Sequence, residues 1–230
     1  MAAAALSTSN ARFRGSETRR TSGLVSDLLP DLVEGIRFIV GHRQLRTFTT
    51  VTALANIAIS AAGVILVLYA VAPGPLKLST TGYGLLLSCG GIGAITGAAT
   101  SKRIVSAVGR GIVLSVSMLA IAVGIAGLGF FINPYTAGAA FAVAGFGVGS
   151  YNVISVSFRQ RVVPTAMLGR ATAAYRLAGM GVIPLGAVVG GLIVNPLGLR
   201  GSFFAAGALA LLCLVGMPAV TEAAMRSAEA

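Results

Sequence analysis

Acid–base, nucleophilic or metal chemistry in this chain would have to come from six carboxylates, one histidine and two cysteines, and their placement argues against all three. The acids are Glu17, Asp27, Asp31, Glu34, Glu222 and Glu229, so none lies between Glu34 and Glu222. His42 stands alone near the start of that acid-free core, which leaves no Ser-His dyad and no His-based metal site deeper in the chain. Cys89 and Cys213 are isolated, lack the spacing of a disulfide framework or a zinc site, and read as small buried hydrophobes. No Gly-Lys-Ser/Thr phosphate loop is present. The residues therefore point to no enzyme, no metal and no cofactor. What remains is Asn56, Ser60, Tyr151, Asn152 and Arg176, whose side chains can hydrogen-bond a solute or hold an anion.

The surroundings of these five are apolar. Of the 230 residues 56% are hydrophobic and only 10% charged, against about 25% charged in a soluble domain. A net charge of +11 could mark a nucleic-acid partner, but the basic residues fall in short groups instead of one patch. Between them run charge-free stretches at 47–76, 78–101, 111–158, 177–199 and 201–221. Each reaches the ~20 residues a helix needs to cross a hydrocarbon core of ~30 Å. The stretch 111–158 holds two spans, divided at Asn133-Pro134-Tyr135. The expected fold is an all-α membrane protein with six transmembrane helices at 47–71, 82–101, 111–131, 136–158, 171–194 and 202–219.

Lys and Arg then orient the spans. Arg37, Arg43, Arg46, Lys102, Arg103, Arg110, Arg159, Arg161, Arg170 and Arg226 fall on one side, and only Lys77 and Arg200 on the other. Short cytoplasmic loops carry the basic excess, so both termini are expected in the cytoplasm, with the chain multi-pass in the cell (inner) membrane. Outside the transmembrane domain at 45–220, residues 1–22 read as a disordered cytoplasmic tail and 221–230 as a second one. The first tail lacks the apolar region of a secretory signal, and a mitochondrial transit peptide is the other reading of its composition. At 23–44, Leu24, Leu28, Leu32 and Ile36 recur at helical spacing, which predicts an amphipathic helix on the inner membrane surface. Asp27, Asp31 and Glu34 lie early in it and Arg37 and Arg43 late, the order a helix dipole favours, while Pro30 either kinks it or marks its first turn.

Glycine, at 31 residues, is about twice its average share. Small residues let membrane helices approach closely, and glycine-rich helices can also rock during a transport cycle, with Pro184 a candidate hinge. Gly93-x-x-x-Gly97 in the second span precedes a short loop at Gly109-Arg110-Gly111; Gly186-x-x-x-Gly190 in the fifth precedes Gly198-Leu199-Arg200-Gly201. This echo predicts two three-helix repeats, and an odd number of spans per unit inverts the second copy, as in secondary transporters. The third and sixth spans carry few polar residues and read as lipid-facing supports. The first, with Thr47, Thr49, Thr50, Thr52, Asn56 and Ser60, and the fourth, with Ser150, Tyr151, Asn152, Ser155 and Ser157, are expected to line an aqueous cavity.

Three stretches carry a family resemblance: VEGIRFIVGHRQLR before the first span, TGYGLLLSCGGIGAITGA in the second, and FRQRVVPTAMLGRATAAYRLAGMGVIPLGAVVGG from the fourth into the fifth. They resemble the C-terminal six-helix half of a major facilitator superfamily transporter, in the subgroup of bacterial enterobactin and macrolide exporters. The resemblance implies helices seven to twelve of a twelve-helix carrier, with the first and fourth spans at its central cavity, and an N-terminal half as partner. The loop Ser101-Lys102-Arg103 to Gly111 lacks the acid that the family often carries there. The membrane-embedded carboxylate that couples protons in such exporters has no counterpart in this chain either.

Arg176 lies six residues after Arg170, about 9 Å deeper at ~1.5 Å per residue. It either snorkels to headgroups or faces the cavity and binds an anionic substrate or a carboxylate of another half. Arg110, Arg159 and Arg170 are expected in cytoplasmic loops, setting topology. Two functional readings follow: half of an alternating-access exporter of small molecules such as drugs or siderophores, working with an N-terminal half or as a homodimer, and a non-transporting membrane fragment.

Overall fold

The computed structural model describes residues 30–130 and 132–215. Their regular structure is helical apart from one isolated bridge between Val71 and Leu78. Helix α1 covers residues 30–41, followed by α2 (Arg43–Ala70), α3 (Thr80–Val108), α4 (Arg110–Phe130), α5 (Pro134–Val162), a 3-10 turn (Thr165–Met167), α6 (Leu168–Met180) and α7 (Ile183–Leu212). The tails expected at 1–22 and 221–230, the first part of the 23–44 helix and the last residues of the sixth span lie outside the described residues.

Local chemistry accounts for the helix starts. The Ser79 hydroxyl accepts the Gly82 N–H at 3.2 Å to cap α3, and Asn133 accepts the Tyr135 N–H at 2.9 Å to cap α5 beside Pro134. The helices overrun the expected spans, α3 to Val108 and α5 to Val162. Charge-free length measures the hydrocarbon layer, whereas Lys102, Arg103, Arg159 and Arg161 stay helical beyond it.

Among the described residues five helical segments are long and apolar enough to cross a membrane, and the fifth, Thr165–Val215, has 51 residues. At ~1.5 Å per residue that is roughly 75 Å of helix, far beyond one ~30 Å crossing. The segment folds back instead. Gly186 rests on Ile57 and Gly190 on Ala61, so the first half of α7 runs parallel to α2; Phe203 meets Tyr69 and the Cys213 thiol meets Val51, so the second half runs antiparallel. Gly198 makes the reversal at φ 66°, ψ 172°, a conformation that suits glycine, and Ser202 Oγ donates to Ile193 O across it at 3.2 Å. Gly109, at φ 86°, ψ 158°, separates α3 from α4 in the same way. The segment α7 is thus two antiparallel helices that meet at Gly198, in the places where the charge pattern predicts separate fifth and sixth helices.

The core lies where α2, α4, α5 and α7 meet. Phe48, Leu114, Met118, Ile121, Phe158 and Phe203 are almost wholly buried there. The expectation that the third span is a lipid-facing support holds for one face only: Ile112, Val116, Leu119 and Val123 form an exposed apolar stripe, while its other face fills the core. Helix α1 docks on α6, with Gly35 against the Arg170 backbone; its Asp31 and Glu34 carboxylates bind the Arg170 guanidinium at 2.8 and 2.6 Å. A dipole preference within α1 does not by itself explain the acids, which have a partner more than a hundred residues away.

Candidate functional site

Three helices meet around a hydroxyl network. Thr52 of α2 lies 2.7 Å from the Tyr151 hydroxyl of α5 and 2.6 Å from the Tyr175 hydroxyl of α6, and Ser155 of α5 lies 2.9 Å from Tyr175. Thr52 also donates to Phe48 O at 2.8 Å. One proton arrangement satisfies all four: Ser155 donates to Tyr175, both tyrosines donate to Thr52, and Thr52 donates to its own helix. The network fixes the Tyr175 ring, on whose face the Arg159 guanidinium sits 3.5 Å from the centroid.

Beside the network lies a cavity of about 340 Å³. Thr52, Asn56, Tyr151, Asn152, Arg159, Tyr175 and Arg176 supply its polar wall; Ile59, Met118, Ile121, Val148 and Met180 are among its apolar lining. Asn56 is held in place by donating from Nδ2 to Gly179 O at 2.6 Å. The described segments carry only two carboxylates, Asp31 and Glu34, and both bind Arg170. The wall therefore offers hydroxyls, amides and two guanidiniums to a solute, and no negative charge.

Four of the five candidate residues, Asn56, Tyr151, Asn152 and Arg176, line this one cavity. Ser60 does not: its hydroxyl donates to Ile183 O at 2.8 Å and ties α2 to the start of α7. Thr47, Thr49 and Thr50 turn inward on their own helix, donating to Arg43, Leu45 and Arg46 carbonyls, so much of the first span's polarity never reaches a cavity. The loop position expected of Arg159 needs a correction. Arg159 belongs to the last turn of α5, and its side chain joins the cavity wall. Arg110 lines a separate space of about 310 Å³ with Lys102 and Arg161, and Arg170 is bound by α1.

The glycine motifs work as backbone contacts. A Cβ on Gly93 would strike the Ala142 carbonyl and one on Gly97 the Phe146 carbonyl; Gly145 and Gly149 face Gly90 and Ala94 in return. Gly186 and Gly190 press α7 onto α2 in the same manner. Pro184 occupies the first turn of α7, after an interruption at Gly181 and Val182 that divides the fifth pass. Two residues escape the sequence reading as cavity groups, Tyr175 and Arg159. Tyr175 has a signal, since it adjoins Arg176; Arg159 has none, because only the crossing of α5 and α6 turns it inward.

A family description, the Major Facilitator Superfamily, matches residues 48–226. The chain belongs to the Major Facilitator Superfamily. No curated protein matches it closely enough to be named beside it. Superfamily members are transporters and not enzymes, so the cavity described above sits in a multi-pass membrane protein of a transporter family.

Proposed function

We propose that the chain is a six-helix half of a carrier that moves a small organic solute by alternating access, and that the cavity between α2, α4, α5 and α6 is its share of the substrate pathway. The observation that carries this reading is the convergence of Asn56, Tyr151, Asn152 and Arg176, from three separate helices, on one cavity. Polar groups in a membrane protein are costly unless they meet a partner, water or a solute.

The glycine contacts support the reading of two inverted three-helix repeats. Gly93-x-x-x-Gly97 of the second pass packs on the fourth, and Gly186-x-x-x-Gly190 of the fifth packs on the first, each pair running parallel. Each motif is followed by a hairpin through a positive-φ glycine, Gly109 or Gly198. Two such units can rock about a shared site, with the interruption at Gly181 and Val182 as the hinge. Exposed faces support a second half as partner. Gly84 and Gly91 on α3 and Gly191 on α7 face open space, with nothing within 4 Å of where a Cβ would stand, although an unpacked helical glycine is costly. Helix α1 exposes Val33, Ile36 and Val40, which suits the interfacial position read for 23–44. The basic loop ends would face the cytoplasm of the cell membrane, and the resemblance to enterobactin and macrolide exporters gives efflux as the direction.

The experiment is reconstitution of the chain alone and with a candidate N-terminal half, followed by efflux of a dye or siderophore. Efflux above empty liposomes, reduced by Arg176→Ala without loss of insertion, is the expected result. No flux from either preparation would leave the non-transporting fragment.

A further inference from the structure

The cavity's charge is unbalanced, and the imbalance identifies a ligand class. Arg159 lies flat on Tyr175, which Thr52 and Ser155 hold by its hydroxyl. Its Nη1 is shut off from solvent and has no hydrogen-bond acceptor among the described residues. Arg176 lines the same cavity, so two like charges share one space. A ring face answers a guanidinium only weakly, and neighbouring cations repel. Both costs fall when an anion enters, because its charge offsets the repulsion of the two guanidiniums and a carboxylate's oxygens accept from the N–H donors that line the cavity. The hydroxyls and amides nearby can complete its hydrogen bonds, and the apolar wall of Met118, Ile121 and Val148 can take up a hydrocarbon portion.

We propose that Arg159, laid on Tyr175, and Arg176 form a carboxylate-binding site, so that the solute moved by the assembled carrier is an amphipathic organic anion. This rests on reading the cavity as a substrate pathway, and it goes further by excluding cationic amphiphiles as cargo. A side-chain carboxylate from a partner half has the same chemistry, and the test below separates the two sources.

The full-length chain in nanodiscs of neutral phosphatidylcholine is titrated with a dansyl amino acid as aryl carboxylate, with dansylcadaverine as the matched cation, and with acetate as competitor. The carboxylate probe should bind at least tenfold more tightly than the cation. Arg159→Gln and Arg176→Gln should each weaken it at least tenfold, and Arg159→Lys should recover part of the loss by restoring charge without the planar stack. Melting curves on the same samples identify a variant that has simply unfolded, and Arg161→Gln serves as a control of equal charge change outside the cavity. Aryl carboxylate binding at least tenfold above acetate assigns the site to cargo; equal binding assigns it to a partner's side chain, which upholds the carboxylate site and overturns the organic anion as cargo. Equal affinity for cation and anion, or full carboxylate binding by both Gln variants, overturns it. If the cation binds and Asn152→Leu abolishes that binding, the pathway stands and the anion assignment alone falls. If no probe of either charge binds, both readings fall.

Discussion

The contact of α3 with α5 and the contact of α2 with the fifth pass begin with the same glycine motif and end differently. Along α3, glycines keep backbone against backbone: Gly93 and Gly97 meet Ala142 and Phe146, and Ser150 donates to Gly97 O at 3.1 Å to seal the pair. Along the fifth pass, Gly186 and Gly190 touch Ile57 and Ala61 as closely, but the helix is interrupted at Gly181 and Val182. On the other side of the interruption Tyr175 and Arg176 replace glycine, α6 meets α2 through the Thr52–Tyr175 and Asn56–Gly179 hydrogen bonds, and the cavity opens beside them. Close helix packing and a cavity are thus alternatives set by side-chain size on one scaffold. The unbroken pair is sealed backbone to backbone; the broken pair leaves room for the polar groups that line the cavity.

Substitutions in the two contacts test this difference. The largest effect is expected on the sealed side, where Gly97→Ala drives a methyl into a carbonyl that an unbroken helix cannot yield. A loss of about 2–3 kcal/mol is expected, read as a lowered melting temperature in detergent. Gly190→Ala should cost less, about 1–2 kcal/mol, because α7 can pivot at its interruption. Equal losses at the two sites would remove the mechanical distinction. Tyr175→Phe deletes the hydroxyl that joins Thr52 to Ser155 and should cost about 1–1.5 kcal/mol. Combined with Gly97→Ala, its effect should add to within ~0.5 kcal/mol if the two contacts are independent, and stronger coupling would argue that they form one unit.

Smaller effects are expected at the edges. Gly191→Ala meets open space, so the isolated chain should gain up to ~1 kcal/mol of helix stability, whereas an assembled carrier should lose activity if a second half packs there. The smallest change is expected from Asp31→Asn with Glu34→Gln. These carboxylates and Arg170 are two-fifths to a half exposed, so unpairing them should cost no more than ~0.5–1 kcal/mol, with the difference disappearing at high salt.

Much of the scaffold was legible from residue types. Asn133 and Pro134 announce the start of α5, because a cap and a missing N–H act within one turn. Gly109 and Gly198 announce the hairpins, because their φ values suit no other residue so well. The site was legible in part. Asn56, Tyr151, Asn152 and Arg176 stand out as polar groups in apolar runs, but Ser60 has the same signal and spends its hydroxyl on Ile183 O. Threonine polarity in α2 misleads for a related reason: a hydroxyl can be satisfied within its own helix, and sequence does not distinguish that from a hydroxyl turned to a cavity.

The sequence by itself determined the solvent of this protein and where its chain turns. Hydrocarbon penalises every charge in it whatever the neighbours, so charge spacing alone identifies membrane segments. Tertiary structure decided which residues act together. Arg159 lines a cavity with Arg176, while Arg170, six residues before Arg176, is bound by Asp31 and Glu34. Those assignments depend on how helices cross and which way each is rotated, quantities set by packing among residues far apart in the chain.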